Sequence, residues 1–280
     1  MRGGSLTAAI SPAAEVNYSS AFDVIAEQYD ETFSLSIIGQ LQRRPVWDEL
    51  RKTFRPGDRV LDLGCGTGVD ACFLAERGVD VVACDNSTRM LHVAQRRIAN
   101  LPPAAGSVQL RLVAAEEISI LNDCAPFDGA LSNFGAVNCI ADIAKLAGDL
   151  SLLLKPRANL LLCPIGPMCL WETGWYLLHG KFQKAFRRFH RGGVEAKFGD
   201  GVVQVQYPSV RLLRDAFAPD FSLEGVRGIG IAVPPSYLEG WAHRFPAMVK
   251  LGAYADLFLG CCPGIRMVAD HVLLRFERKV

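Results

Sequence analysis

The run Val60-Leu61-Asp62-Leu63-Gly64-Cys65-Gly66-Thr67-Gly68 constrains this chain more than any other. An apolar stretch, read as a strand over Arg59–Leu63, leads straight into three glycines at every second position. A helical period follows over Val69–Arg77, with Ala71, Leu74 and Ala75 on one face. Glycines let the chain turn tightly and bring its backbone against a ligand with no Cβ in the way. The spacing narrows the ligand. A dinucleotide fingerprint needs its third glycine five positions after the first, and that position is Val69. No Lys-Ser/Thr follows, which excludes a P-loop. Asp62, at the strand end, would repel a pyrophosphate but can orient an ammonium group.

Downstream, apolar runs and helical periods alternate. Val79–Cys84 reads as a second strand, and Ser87 caps a helix to about Ala99 with Met90, Leu91, Ala94 and Ile98 on one face. Val108–Val113, Gly129–Ser132 and Asn159–Cys163 read as strands three to five, the last two separated by a helix over Ile140–Leu153. This order implies a parallel sheet with helices on both faces, and doubly covered strands are nearly all apolar, as here. After Pro164 the rhythm breaks. Residues 165–200 are rich in aromatic and basic side chains and read as a helical insertion. A helix over Pro208–Phe217, a strand over Phe221–Val233 and a last strand over about Met267–Glu277 follow, the final hairpin being antiparallel.

Asp85 ends the second strand, 21 residues after Gly64. By itself it reads equally as a helix cap or as an acceptor for two ribose hydroxyls. Beside the glycine loop, the ribose reading is the stronger.

Asp62-x-Gly64-x-Gly66-x-Gly68 together with Asp85 resembles the cofactor site of class I S-adenosylmethionine (SAM)-dependent methyltransferases, most of all the small-molecule, ubiquinone/menaquinone-type group. The resemblance runs from about Ala21 to Cys163. It includes Phe22-Asp23-x-Ile25-Ala26-x-x-Tyr29-Asp30 and Phe127-Asp128. It implies a Rossmann-like α/β fold: a doubly wound, mostly parallel seven-stranded sheet with an antiparallel last strand and a helical insertion after strand five. It implies SAM as cofactor. Gly64, Cys65 and Gly66 would line the methionine moiety near Asp62, Asp85 and Asn86 would hold the ribose, and Met90 would pack on the adenine. Where the family presents an Asp to the adenine amino group, this chain has Ala115, followed by Glu116. Asn133 and Phe134, ending strand four, would face the methyl group. Tyr29 and Arg44 would come from a leader folded over the cofactor.

The implied domains are a flexible leader (1–17), a helical cap (18–56), a SAM-binding core (57–164), an insertion serving as substrate lid (165–207) and a completion of the sheet (208–280). Tyr18, Phe134, Trp171, Trp175 and Tyr176 are the expected acceptor contacts. His179 and His190, within the insertion, are weak candidates for a general base, and no catalytic residue is assigned. A solvated basic helix face and a surface attracting an anionic acceptor or a membrane are both open readings of Lys181, Lys184, Arg187, Arg188, Arg191 and Lys197.

Composition bounds the partners. Thirty Lys+Arg against 29 Asp+Glu give a net charge of +1, without the basic excess that duplex nucleic acid would call for. The Asp/Asn-Pro-Pro-aromatic motif of amino-directed DNA methyltransferases is absent at Asn133-Phe134-Gly135-Ala136. Mean hydropathy is +0.18, yet the most apolar stretch, Ala158 to Trp171, is short and broken by Pro164 and Pro167, so no transmembrane segment is expected. Nine cysteines, none in CxxC spacing, and five histidines without metal-ligand spacing point to free thiols in the cytoplasm and to no metal site. The expected activity is methyl transfer to a small molecule. A non-catalytic SAM-binding protein and a nicotinamide-dependent oxidoreductase are the alternatives.

Overall fold

The computed structural model describes residues 21–190, 192–198 and 201–280; Tyr18, Arg191 and the expected leader over 1–17 lie outside the described residues. A 3-10 turn (Ala21–Val24), α1 (Ala26–Tyr29) and a π-helical turn (Asp30–Ser34) lead into α2 (Ile37–Thr53), which Ser36 caps by accepting from the Gly39 amide. There follow β1 (Arg59–Leu63), α3 (Val69–Ala75), β2 (Asp80–Asp85), α4 (Thr88–Ile98), β3 (Val108–Leu112) and β4 (Phe127–Asn133). The next elements are α5 (Ile143–Leu153), β5 (Leu154–Cys163), α6 (Leu170–Leu178), α7 (Phe182–Ala185), β6 (Val194–Phe198) and β7 (Gly201–Val205). The chain closes with α8 (Val210–Phe217), β8 (Phe221–Ile229), α9 (Glu239–Arg244), α10 (Pro246–Leu259) and β9 (His271–Arg278).

Seven strands form one sheet in the order β3-β2-β1-β4-β5-β9-β8. The first five are parallel, and β9 is antiparallel to both β5 and β8. Alternate residues of a strand point to opposite faces. Leu61, Leu63 and Val82 join one core with α5 and α8, while Val60, Val81 and Ala83 join a second with α2, α3 and α4. The strand order reverses between β1 and β4, and this switch point opens a crevice at the carboxyl ends of the strands.

The insertion differs from the expected run of helix. Apolar spacing from Trp171 to Phe189 suggests one helix, but it ends at Leu178: Gly180 takes a left-handed φ of 68° and α7 begins two residues later. The second half is an antiparallel pair of strands, β6 and β7. A buried charge cluster holds the helical part down. Arg187 and Arg188 both donate to Glu172, and Arg188 reaches Asp270 Oδ1 at 2.7 Å and the Gly166 carbonyl at 3.1 Å. Burial alone would raise both carboxyls, but His271 and Arg188 hold Asp270, and Arg187 and Arg188 hold Glu172, below the usual range.

Towards the C-terminus β8 stops at Ile229 and β9 starts at His271, with Ile265–Val268 as a 3-10 turn. Between them lie α9 and α10, which the sequence reading omits. Pro246 opens α10 in the first turn, where its missing N–H costs nothing. The helix is apolar nearly all round, so its sequence shows no polar face from which to read a period.

Candidate functional site

The crevice holds a cavity of about 230 Å³. Gly64, Gly66, Asp85, Asn86, Met90, Ala115, Glu116, Asn133 and Phe134 line it. A smaller cleft of about 30 Å³ adjoins it, lined by Arg43, Asp62, Cys65, Asp70, Asn133 and Tyr29 among others. Of the expected cofactor contacts, Tyr29, Asp62, Gly64, Cys65, Gly66, Asp85, Asn86, Met90, Ala115, Glu116 and Asn133 all line one of these two spaces.

The loop is built by its glycines. Gly64 has a φ of 69°, and a Cβ there would lie 2.3 Å from the Ala136 Cβ. Gly66 has a φ of 53°, and a Cβ there meets nothing within 4 Å, because it would project into open space. Asp85 fastens the loop: its Oδ2 accepts from the Gly66 amide at 2.8 Å and its Oδ1 from the Ser87 amide at 2.9 Å. Burial raises this carboxyl above its usual range, while the Ser87 and Gly66 amides oppose the shift.

Asp70, in the first turn of α3, organises the cleft. Its Oδ2 accepts from Arg43 Nη1 at 2.6 Å and Asn133 Nδ2 at 3.0 Å, and its Oδ1 from Trp47 Nε1 at 2.7 Å. Four buried atoms of residues lining the cleft keep no hydrogen-bond partner: Ser34 Oγ, Arg43 Nε, Asp62 Oδ2 and Asn133 Oδ1. Buried polar groups are nearly always satisfied, so one guanidinium donor, two acceptors and a hydroxyl left over beside a glycine loop mark a ligand position. Burial first, then the charges of Asp70 and Asp85, push the Asp62 carboxyl well above the usual range, with Arg43 opposing. Asp70 and Arg43 were both missed in the sequence. Asp70 is the single acid of an otherwise apolar helix directly behind the loop, and that was the available signal.

The roof comes from outside the sheet. Phe22 and Tyr29 reach over from the N-terminal turns. Two carboxylates anchor this flap: Asp23 accepts from Ser87 Oγ at 2.5 Å, and Asp30 accepts from Thr67 Oγ1 at 2.7 Å and pairs with Arg97. Burial pushes the Tyr29 hydroxyl up to about 12, with Arg43 opposing, so it is a neutral donor at pH 7. Ile165 and Val205 complete the rim, and β6 and β7 pack on the Ala21–Val24 turn. Phe134 holds a left-handed φ of 52°, a strained setting for a bulky residue. It is pinned there by the Arg43 guanidinium 4.4 Å from its ring centroid and by the rings of Phe33 and His271 at 5.2 and 5.3 Å.

Several expected residues are elsewhere. Arg44 is exposed and lines neither space; its neighbour Arg43, one helix position earlier, points inward. Trp171 and Trp175 pack with Trp241, Leu238 and Val249 in a separate small core, and Trp171 Nε1 donates to the Ala232 carbonyl at 2.9 Å. Tyr176 stacks on Tyr237. None of the three borders the cavity, so the cover is the N-terminal flap with β7 and not the aromatic helices. His179 and His190 are exposed, and His179 Nδ1 is held by the Trp175 carbonyl at 2.8 Å. Among the described residues the cavity lining carries two carboxylates, Asp85 and Glu116, and no histidine or lysine. Its thiol, Cys139, is pushed by burial up to about 11 and stays protonated.

Residues 60–157 match the family model described as a methyltransferase domain. A demethylmenaquinone methyltransferase of Beutenbergia cavernae is 36% identical over 162 residues, which is 56% of this chain and 62% of that protein. One of Clavibacter sepedonicus is 32% identical over 161 residues, 57% of this chain and 63% of that protein. The chain thus spans less than two thirds of the length of these curated relatives. Among solved structures, the CcbJ methyltransferase from Streptomyces caelestis superposes with a TM-score of 0.61 at 13% identity, covering 95% of this chain and all of that one. The cyclopropane synthase MmaA2 from Mycobacterium tuberculosis gives 0.60 at 17% identity over 96% of this chain. At such identities the likeness is one of fold.

Proposed function

We propose that the chain transfers a methyl group from SAM to a small, largely apolar acceptor, a reading supported by the match of residues 60–157 to a methyltransferase domain. The observation that carries this reading is the set of unpartnered atoms in the cleft. Arg43 Nε offers a donor suited to a carboxylate, and Asp62 Oδ2 with Asn133 Oδ1 offer two acceptors suited to an ammonium. Together they match the two ends of an α-amino acid. Asp85 keeps lone pairs for two ribose hydroxyls beyond its two amide bonds, and Met90 offers an apolar surface to a base.

When bound, SAM supplies a methyl group already activated by its sulfonium. The protein's contribution is alignment and exclusion of water, which supply much of the rate in such displacements. Phe134, Phe22, Ile165 and Val205 give the acceptor an apolar slot, and Tyr29 closes it from the flap. With neither histidine nor lysine in the lining, an acceptor that ionises readily by itself fits best. The relatives are named for demethylmenaquinone, and the reduced, quinol form of such a compound, whose electron-rich ring can attack the methyl group and then lose a proton, is the acceptor class we propose. Free thiols at all nine cysteines support a cytoplasmic setting. No helix among the described residues is long and apolar enough to cross a membrane.

Calorimetry provides the test. SAM and S-adenosylhomocysteine should bind and NAD should not; tight NAD binding without SAM binding sinks the proposal. Incubation with isotopically labelled SAM and a demethylated quinol then reads transfer by mass spectrometry.

A pH dependence follows from Asp62. Burial keeps its free-state carboxyl protonated well above the usual carboxylate range, whereas an ammonium partner requires the ionised form. Binding therefore releases a proton. SAM affinity should fall as pH drops below the raised value and level off above it. Calorimetry in buffers of different ionisation enthalpy should register that proton at the acid end. A flat affinity with no proton release would remove Asp62 from the ammonium site.

A further inference from the structure

The helices that are absent from the cavity leave their outer faces in search of a partner. Along α10, Val249, Ala253 and Asp256 point inward, while Met248, Leu251, Tyr254 and Phe258 form a stripe on the outside. Leu251 is 70% and Phe258 76% exposed, and Lys250 is the one charged residue on the exposed part of this helix. A helix without a polar outer face is covered by something in its working state. On the neighbouring α6, Leu178 is 86% exposed, and Phe182, at the start of α7, is 63% exposed. The two helical units pack against each other through their inner faces. Trp171 and Trp175 of α6 share a small core with Trp241 of α9 and Val249 of α10, and ring contacts of 5.4 Å run from Trp171 through Trp241 to Phe245.

The unpaired charges carried by these two segments have one sign. Residues 165–190 and 234–264 contain three acids, Glu172, Glu239 and Asp256. Each is consumed internally: Glu172 by Arg187 and Arg188, Glu239 by the Ile37 and Ile38 amides, Asp256 by the Ala232 and Val233 amides. Lys181, Lys184, Arg244 and Lys250 remain exposed. Asp48 of α2 shares a groove with Lys250 but pairs with Arg51 on its own helix.

We propose that the outer faces of α6–α7 and α9–α10 form a docking surface for an anionic lipid bilayer. Exposed Leu, Phe and Met among lysines and arginines, with no free carboxylate, are the composition of a surface that lies in the interfacial plane. The aliphatic and aromatic tips enter the headgroup–acyl boundary, and the basic residues meet the lipid charge. A second copy of the chain would set basic rim against basic rim, so charge favours the bilayer.

Co-sedimentation of the full chain with vesicles of phosphatidylcholine, with and without phosphatidylglycerol, tests this independently of methyl transfer. The bound fraction should be at least about tenfold larger on the anionic vesicles and should fall with added salt. Leu178→Glu and Phe258→Glu, both at exposed positions, should each cut binding about tenfold with Tm unchanged, and Lys181→Glu/Lys184→Glu should remove the preference for phosphatidylglycerol. No binding by the natural sequence overturns the proposal. So does binding that both glutamate variants leave intact. A dimer in sedimentation velocity that Leu178→Glu or Phe258→Glu dissociates also overturns it, by giving the patch to a second copy.

Discussion

Asp70→Ala is expected to lower Tm by on the order of 10 °C and to abolish measurable cofactor binding. Asp70 is the shared acceptor of Arg43, Asn133 and Trp47, and both members of the Arg43–Asp70 pair are more than nine-tenths buried. Removing one partner of such a pair strands a charge in a medium that solvates it poorly, at a cost of about 3–5 kcal/mol. The loss extends to function, because Arg43 and Asn133 carry two of the four unpartnered atoms of the cleft. Thermal melts followed by calorimetry check both parts. The double variant Asp70→Leu/Arg43→Met separates them: it deletes the stranded cation, so stability should recover in large part while binding stays lost. A double variant that binds as well as the natural sequence would show that the cleft is not the amino-acid end of the site.

Asp85→Ala should weaken SAM by at least about tenfold with the fold intact. Each hydrogen bond from a hydroxyl to a buried carboxylate is worth roughly 1.5–3 kcal/mol, and two are at stake. The unliganded protein loses less. The Gly66 and Ser87 amides forfeit their acceptor, but the desolvation that raises this carboxyl is relieved at the same time. Asp85→Asn, which keeps an acceptor oxygen, should fall between the two. Titration calorimetry beside circular dichroism reads the result. Unchanged affinity in a folded variant would reduce Asp85 to a clip for the glycine loop.

These two residues also mark the limits of reading the chain as text. Asp85 was legible because its place at a strand end, one βαβ unit after a glycine loop, has a chemical meaning. The parallel strands were legible because burial on both faces demands apolar runs, and the α4 cap because Ser87 precedes a clear helical period. Asp70 was hidden since an acid in a first helical turn is ordinarily solvated; only the tertiary fold brings α2 down upon it. Arg43 and Arg44 are adjacent in an amphipathic helix whose rotation the sequence did not fix. The aromatic insertion misled for a related reason. Rings at helical spacing identify a packing face, and here that face meets α9 and α10, the first only six residues long and the second too uniformly apolar to show a period.

The composition of the cavity wall has an evolutionary reading. The contacts suited to the methyl donor come from the strand ends and turns of the α/β core, at Asp62, Gly64, Asp85 and Asn133, with Arg43 added from α2. The contacts suited to the acceptor come largely from appended pieces: Phe22 and Tyr29 before the core, Ile165 and Val205 after it. On the proposed reading, most acceptor contacts, Phe134 excepted, lie in stretches of the chain apart from the donor contacts. A lineage, or a library, can exchange the second set while the first stays fixed, since none of those four side chains supports the sheet. Substrate range in such an architecture drifts at the margins of the fold while its energy source stays constant.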